Sequence, residues 1–300
     1  MYRKIKMKNL KRFTAIAVAL ASASFNLYAK DEPVVCASLL TQSHPFYIAL
    51  GNGLKEGAKL QHINLKVSVA NQDLAKQIND IEDCITKNVD AIVISPVDSK
   101  GIRGPLKKAE RANIPVITVD IGAENSKIVS HIATDNYGGG VVAGKLAVKQ
   151  LGGKGQVVML SYPGISSVEA RLQGFRDAVA DTDIKIVAVQ PGKTREESMT
   201  STINMLQANP DTDLIFAFGD DMMIGAGLAV TKQKSKAVVI GFDGMPEGIK
   251  AVDENDHIIG VVKQDADAMG KTAMKVVADY LNGKEVKSEY PIVPVLYTGK

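Results

Sequence analysis

Residues 91–120 read AIVISPVDSKGIRGPLKKAERANIPVITVD, and the fold class follows from that stretch. An apolar run, AIVIS, precedes the amphipathic SKGIRGPLKKAERAN, and a second β-branched run, IPVITVD, closes on Asp120. The pattern predicts strand, helix, strand. Strands this apolar along their whole length need cover on both faces, which parallel strands flanked by helices supply.

The same rhythm extends in both directions. Upstream lie VVCASLL, a helix from about Pro45, INLKVSVA and the helical QDLAKQINDIEDCITK. Downstream, after KIVSHIATD, it restarts: a helix, GQVVMLSYP, a helix through VEARLQGFRDAVA, IKIVAVQP, the helical ESMTSTINMLQ, LIFAFGDD, a helix, AVVIGFD, a helix and IIGVVKQ. A final helix from about Asp265 to Leu281 precedes YPIVPVLYTGK, which reads as a last crossing strand. No long polar linker divides the two similar α/β halves, so short segments are expected to pass between them.

Two glycine runs imitate nucleotide-binding motifs. In DNYGGGVVAGKLAVKQ, residues 135–150, Gly139, Gly144 and Lys145 stand at GxxxxGK spacing, but Leu146 follows where a phosphate loop needs Ser or Thr. Asp135 and Asn136 read as helix-capping residues, so the glycines are expected to serve close approach to a neighbouring backbone. GNGLKEG, from Gly51, has one residue too many for GxGxxG and follows a helix-like run rather than a strand.

The first residues carry Arg3, Lys4, Lys6, Lys8, Lys11 and Arg12, then the apolar FTAIAVALASA. That run is well short of the roughly 20 residues of a membrane span, and a secretory signal is expected over residues 1–29, cleaved after Ala29. Its removal takes six basic and no acidic residues, changing the formal charge from +3 to −3. A mildly acidic mature chain gives no support to nucleic acid or an anionic membrane as partner. Cys36 and Cys84, in an exported chain, either form a disulfide or are two small buried apolar residues. His44, His62, His131 and His257 are scattered without metal-ligand spacing, and neither a GxSxG elbow nor a local Cys/His arrangement points to catalysis. No cofactor and no enzymatic activity are expected.

In open parallel sheets ligands bind outside the carboxyl ends of the strands. Asp120 closes IPVITVD and Asp243 closes AVVIGFD, at matching places in the two halves; Ser95 closes AIVIS, and Asp220 and Asp221 follow LIFAFG. Either acid could simply cap a helix. As a pair in facing lobes they suit a polyhydroxy ligand, whose hydroxyls bond well to charged acceptors.

The sequence resembles the periplasmic solute-binding proteins of sugar ABC importers, most closely the ribose-binding branch. The resemblance rests on HPFY at residues 44–47, ANIPVITVD ending at Asp120, VSHIATDN at 129–136, EARLQGF at 169–175 and VVIGFDGMPEGIKAV from Val238. It implies the type I periplasmic binding protein fold: two similar Rossmann-like lobes with parallel sheets, joined by three crossover hinge segments near 133–134, 264 and 292–293. The lobes would be 30–133 plus 265–292 and 134–264 plus 293–300. Ligand contacts would fall on His44, Phe46, Tyr47, Asp120 and Ile121 in the first, and on Glu169, Gly219, Asp243 and the hinge residue Gln264. Phe46 and Tyr47 would lie against a sugar face.

The departures from the ribose pattern bear on the ligand. Ile121 and Glu169 stand where that branch has arginines, and Gly219 and His44 where it has asparagines. The balance favours a ligand rich in donors: another pentose or hexose, a sugar alcohol, an inositol, or an amino sugar paired with Glu169 or Asp120. Arg171 is either a further donor or a surface residue. Absence of tryptophan argues against the glucose–galactose branch. The implied function is a monomeric periplasmic receptor that delivers ligand to an ABC-transporter permease; a sensory receptor presenting its closed form to a chemoreceptor or signalling kinase is the alternative. A LacI-type effector domain would begin with a DNA-binding module where the secretion signal stands.

Overall fold

The computed structural model describes residues 32–299, and the secretion signal expected over 1–29 lies outside them. The first sheet comprises β1 (Val34–Leu39), β2 (Asn64–Val69), β3 (Ala91–Ile94), β4 (Val116–Val119), β5 (Ser130–Thr134) and β11 (Glu289–Ile292), in the order β11-β5-β4-β3-β1-β2. The second comprises β6 (Lys154–Ser161), β7 (Asp183–Pro191), β8 (Leu214–Phe216), β9 (Val238–Asp243), β10 (Ile258–Lys263) and β12 (Val295–Tyr297), in the order β12-β10-β9-β8-β6-β7. Each strand order reverses beside its first strand, which opens a crevice at the carboxyl edge of each sheet.

Helices α1 (Pro45–Leu60), α2 (Leu74–Thr86), α3 (Arg103–Arg111) and α9 (Ala266–Leu281) cover the first sheet; α4 (Asn136–Leu151), α5 (Ser166–Val179), α6 (Arg195–Ala208), α7 (Asp220–Gln233) and α8 (Pro246–Glu254) cover the second. The alternation of side chains along a strand explains the unbroken apolar runs. Val35, Ala37 and Leu39 pack on one face against Leu50 and Leu54 of α1 and Met274 of α9. Cys36, Ile92 and Ile94 pack on the other against Ile81 of α2 and Leu106 of α3. In the second lobe Val157–Leu160, Phe175, Phe216 and Phe242 form one continuous core.

Among the described residues the ladder pairings are parallel except one. The last segment, expected as one crossing strand, divides at Val293 and Pro294: β11 lies parallel to β5 at one sheet's edge, and β12 runs antiparallel to β10 at the other's. Pro294 has no N–H to continue a ladder, so the segment breaks where it passes between lobes. The chain also crosses after β5 and after β10.

The glycine runs serve helix packing. A Cβ on Gly140 of α4 would lie 2.0 Å from the Arg171 carbonyl oxygen, and one on Gly174 of α5 would lie 2.1 Å from that of Tyr137. Only glycines let these two backbones meet so closely. Asp135 caps α4, its Oδ1 accepting the Gly138 N–H at 2.8 Å. GNGLKEG lies inside α1 and packs on α9 in the same way.

Of the two fates open to the cysteines, the structure has the disulfide: Cys36 of β1 is bonded to Cys84 of α2, with Cα atoms 6.2 Å apart. Closing a loop of 48 residues contributes about 4 kcal/mol in the chain-entropy model.

Candidate functional site

The two strand-ending aspartates meet in the cleft between the lobes. Both adopt left-handed backbone, Asp120 at φ +63° and Asp243 at φ +92°. Asp tolerates that region better than most residues, and backbone strain of this kind concentrates at ligand-binding sites. Both residues are buried, at 5 % and 6 % exposure.

Each carboxylate is anchored on one oxygen. The Tyr47 hydroxyl donates to Asp120 Oδ2 at 2.7 Å. Asp243 Oδ1 accepts from Gln264 Nε2 at 2.6 Å and Arg171 Nη1 at 3.3 Å. Gln264 follows β10 at a crossing, and its Oε1 accepts the Thr134 hydroxyl of another crossing at 2.5 Å. One amide side chain thus ties two of the three passages between lobes to a cleft carboxylate.

His44 caps α1, with Pro45 as the first helical residue. Its Nδ1 accepts the Phe46 N–H at 3.3 Å, so the neutral ring carries its proton on Nε2. Nε2 faces the second lobe, 3.8 Å from Asp243 Oδ2 and 3.9 Å from Asp221 Oδ2. These gaps exceed a hydrogen bond. Phe46 and Tyr47, edge to face at 5.2 Å, form the first-lobe wall. Tyr47 is spent partly on Asp120, a role the expectation of a stacking ring did not include.

Glu169 does not join them. It is exposed on α5 and does not line the cleft, while Arg171, two residues on, is buried and does. Positions two apart on a helix point about 200° apart, so both cannot face one cavity. The expected contact at Glu169 is therefore corrected, and the surface alternative for Arg171 is excluded. Arg171 Nε donates to Asn136 Oδ1 at 2.8 Å and Nη1 to the Phe218 carbonyl at 2.6 Å. Its guanidinium lies 3.9 Å from the Phe242 ring centroid.

Ile121 and Gly219 both line the cleft. Ile121 packs into the second lobe's core although it follows a first-lobe strand. Gly219 caps α7, and a Cβ there would come within 3.1 Å of Asp243 Oδ2. Behind Asp243, the buried Asp220 accepts the N–H groups of Gly244 at 3.1 Å and Met245 at 2.7 Å, fixing the turn that leaves β9.

Burial is the chief cause that raises Asp120 to about 6; Asp243 adds to it, while Tyr47, Arg171 and His44 oppose it. Burial, then the Asp243 charge, raises Asp220 to about 8, against the pull of its two backbone donors. Burial and Asp120 push the Tyr47 phenol well up.

The cleft pocket measures about 140 Å³, below the roughly 300–1,000 Å³ of drug-sized pockets, so it suits a smaller molecule. A groove of about 240 Å³ beside β5 and β11 shares Asp120 and Ser167 with it but lacks Asp243 and Arg171. Among the described residues no group of three or more His, Cys, Asp or Glu side chains could hold a metal ion.

Tyr162, Lys193 and Phe218 also line the cleft and were missed. The signal was present: they follow β6, β7 and β8 respectively, at the carboxyl ends where such sheets bind ligands.

Comparison with known proteins agrees with this architecture. The periplasmic binding protein domain model matches residues 35–285. The ribose import binding protein of Escherichia coli strain K12 is 33 % identical over 291 residues, covering 96 % of this chain and 97 % of the relative. A periplasmic solute-binding protein of Actinobacillus succinogenes 130z, solved with bound D-allose, superposes with a TM-score of 0.82 at 32 % identity, over 89 % of this chain and 98 % of that one. The myo-inositol binding protein of Caulobacter, solved with myo-inositol, gives a TM-score of 0.82 at 28 % identity, over 88 % and 93 %. The chain belongs to the periplasmic binding protein family, as a sugar-binding protein of the ribose-binding-like type.

Proposed function

We propose that the chain captures one monosaccharide-sized carbohydrate or polyol in the periplasm, closes on it, and delivers it to an ABC permease without chemical change. The observation that carries this reading is the pair of buried aspartates, one closing a strand of each lobe, that converge on one small cavity. Asp120 Oδ1 and Asp243 Oδ2 take no hydrogen bond from the described residues and would accept ligand hydroxyls; Arg171 Nη2 and His44 Nε2 would donate. Phe46 on one lobe and Tyr162 and Phe218 on the other would cover the ligand's C–H faces.

His44, Phe46, Tyr47, Asp120, Ile121, Gly219, Asp243 and Gln264 remain the proposed contact set, with Arg171 in place of Glu169. Passages near residues 134, 264 and 293 would act as hinges between lobes of 30–133 plus 265–292 and 134–264 plus 293–300. Ligand bridging both aspartates favours the closed population by its extra contacts there.

A thermal-shift screen of the chain from Lys30 onward, against pentoses, hexoses, sugar alcohols and inositols, tests the proposal. Ligand that binds only the folded state raises the melting temperature by mass action. A shift with at least one such compound is expected; no shift from a folded, ligand-free preparation would refute it.

A further inference from the structure

Five side chains that can carry charge near neutral pH line the cleft: His44, Asp120, Arg171, Lys193 and Asp243. Arg171 and Asp243 balance each other inside the protein. Lys193 has no such counter-charge: it makes no ion pair among the described residues, and its ammonium lies 5.2 Å from the centroid of the Tyr162 ring. A lysine held over an aromatic face keeps its charge while its stem is steered.

The backbone of Lys193 is also fixed. Its N–H donates to Glu197 Oε2 at 2.9 Å, while the Glu197 N–H donates to the Thr194 hydroxyl at 3.1 Å. This reciprocal arrangement at the start of α6 holds the loop after β7 in one place. Lys193 is exposed at the edge of the cleft, and its ammonium reaches over Tyr162 from this fixed backbone. Glu169, whose carboxylate would have favoured an amino group, lies outside the cavity, so the second lobe presents two cations and one paired carboxylate to the ligand.

We infer that Lys193, seated on Tyr162, selects a ligand with an acidic group, a sugar acid such as an aldonate or uronate, over its neutral parent. The inference rests on the carbohydrate-binding reading proposed above and deepens it. Hydroxyls of the ligand would meet Asp120 and Asp243, and its carboxylate would lie at the second-lobe mouth, on Lys193 and away from Asp120. A charge-assisted hydrogen bond is among the stronger polar contacts available.

Calorimetric titrations with matched pairs test it: D-ribose with D-ribonate, and D-galactose with D-galacturonate, on the wild-type chain and on Lys193→Met. In the wild type at least one acid should bind about tenfold or more tightly than its neutral parent. In Lys193→Met the acid-to-neutral affinity ratio should fall by about tenfold, because the stem stays and the charge goes. Neutral sugars binding as tightly as their acids, or a ratio unmoved by Lys193→Met, would overturn the inference and leave carbohydrate binding standing. No binding by any member of either pair, with the protein folded, would also overturn the inference, while the carbohydrate reading stands or falls on the wider thermal-shift panel.

Discussion

Gln264 Nε2 donates to Asp243 Oδ1 across 2.6 Å, which ties a passage between the lobes to the carboxylate that closes β9. The same side chain accepts from Thr134 on a second passage, so its amide registers both the hinge and the cleft. Replacing Gln264 by Leu removes both bonds and leaves Thr134 without this acceptor. Ligand affinity should weaken by about tenfold or more, as for loss of a hydrogen bond to a charged group. Calorimetry on the variant checks this, and an unchanged affinity would detach the hinge from the site.

Arg171 and Glu169 separate cleft from surface on one helix. Arg171→Ala would leave Asp243 buried with Gln264 as its remaining donor, a loss of about 3 kcal/mol or more for breaking a buried pair, and should also reduce ligand binding severely. Glu169→Ala should change neither by more than the roughly 0.5 kcal/mol of an ordinary surface substitution. Denaturant unfolding and calorimetry on the two variants would show the contrast; equal effects would mean that α5 is turned differently.

The buried Asp220 predicts a pH dependence of stability. Its native value of about 8 lies above the ordinary carboxylate range, so the folded chain holds a proton that the unfolded chain has released. Its contribution is complete below the unfolded value near 4 and is lost as pH rises through about 8. Asp120, raised to about 6, acts in the same sense at lower pH, while burial lowers His131 and opposes both below its ordinary value. Between pH 6.5 and 8.5 Asp220 dominates this set. Denaturant unfolding should show stability falling by up to about 1.4 kcal/mol per pH unit there, and Asp220→Asn should flatten the slope. A slope that survives the substitution would assign it to another group.

Close contact between α4 and α5 gives a separate test. Gly174→Ala sets a methyl 2.1 Å from the Tyr137 carbonyl oxygen, which forces the helices apart. A cost of about 1–3 kcal/mol is expected for overpacking, with a drop of several degrees in melting temperature. A neutral variant would show that the helix pair yields easily.

Most of the architecture was legible because it is written in local pattern. Continuous apolar runs such as AIVIS and VVIGFD predicted strands covered on both faces, and the structure packs both faces of β1 and β3. The aspartates were legible because strand ends carry the chemistry in this architecture. What was not legible depends on rotation and reach. Glu169 and Arg171 look equivalent in a string, and the angle between them on α5 decides which faces the cleft. Tyr162, Lys193 and Phe218 stand at strand ends, as the ligand-binding edge requires, but the string does not say which residues of those three loops reach the cleft. The final segment divides because Pro294 falls where the chain changes sheets, which a single apolar run conceals. The Cys36–Cys84 bond could not be chosen over two free thiols until β1 and α2 were seen packed together.

The central claim is that Asp120 and Asp243 close on one carbohydrate between the lobes. Calorimetric titration of the wild-type chain and Asp243→Ala, with the sugar or polyol that stabilises the chain most strongly, tests it most directly. The account predicts one ligand per chain in the wild type and affinity weakened about tenfold or more in the variant. A wild-type chain that takes up no carbohydrate, or an Asp243→Ala variant that binds as tightly as wild type, would contradict it.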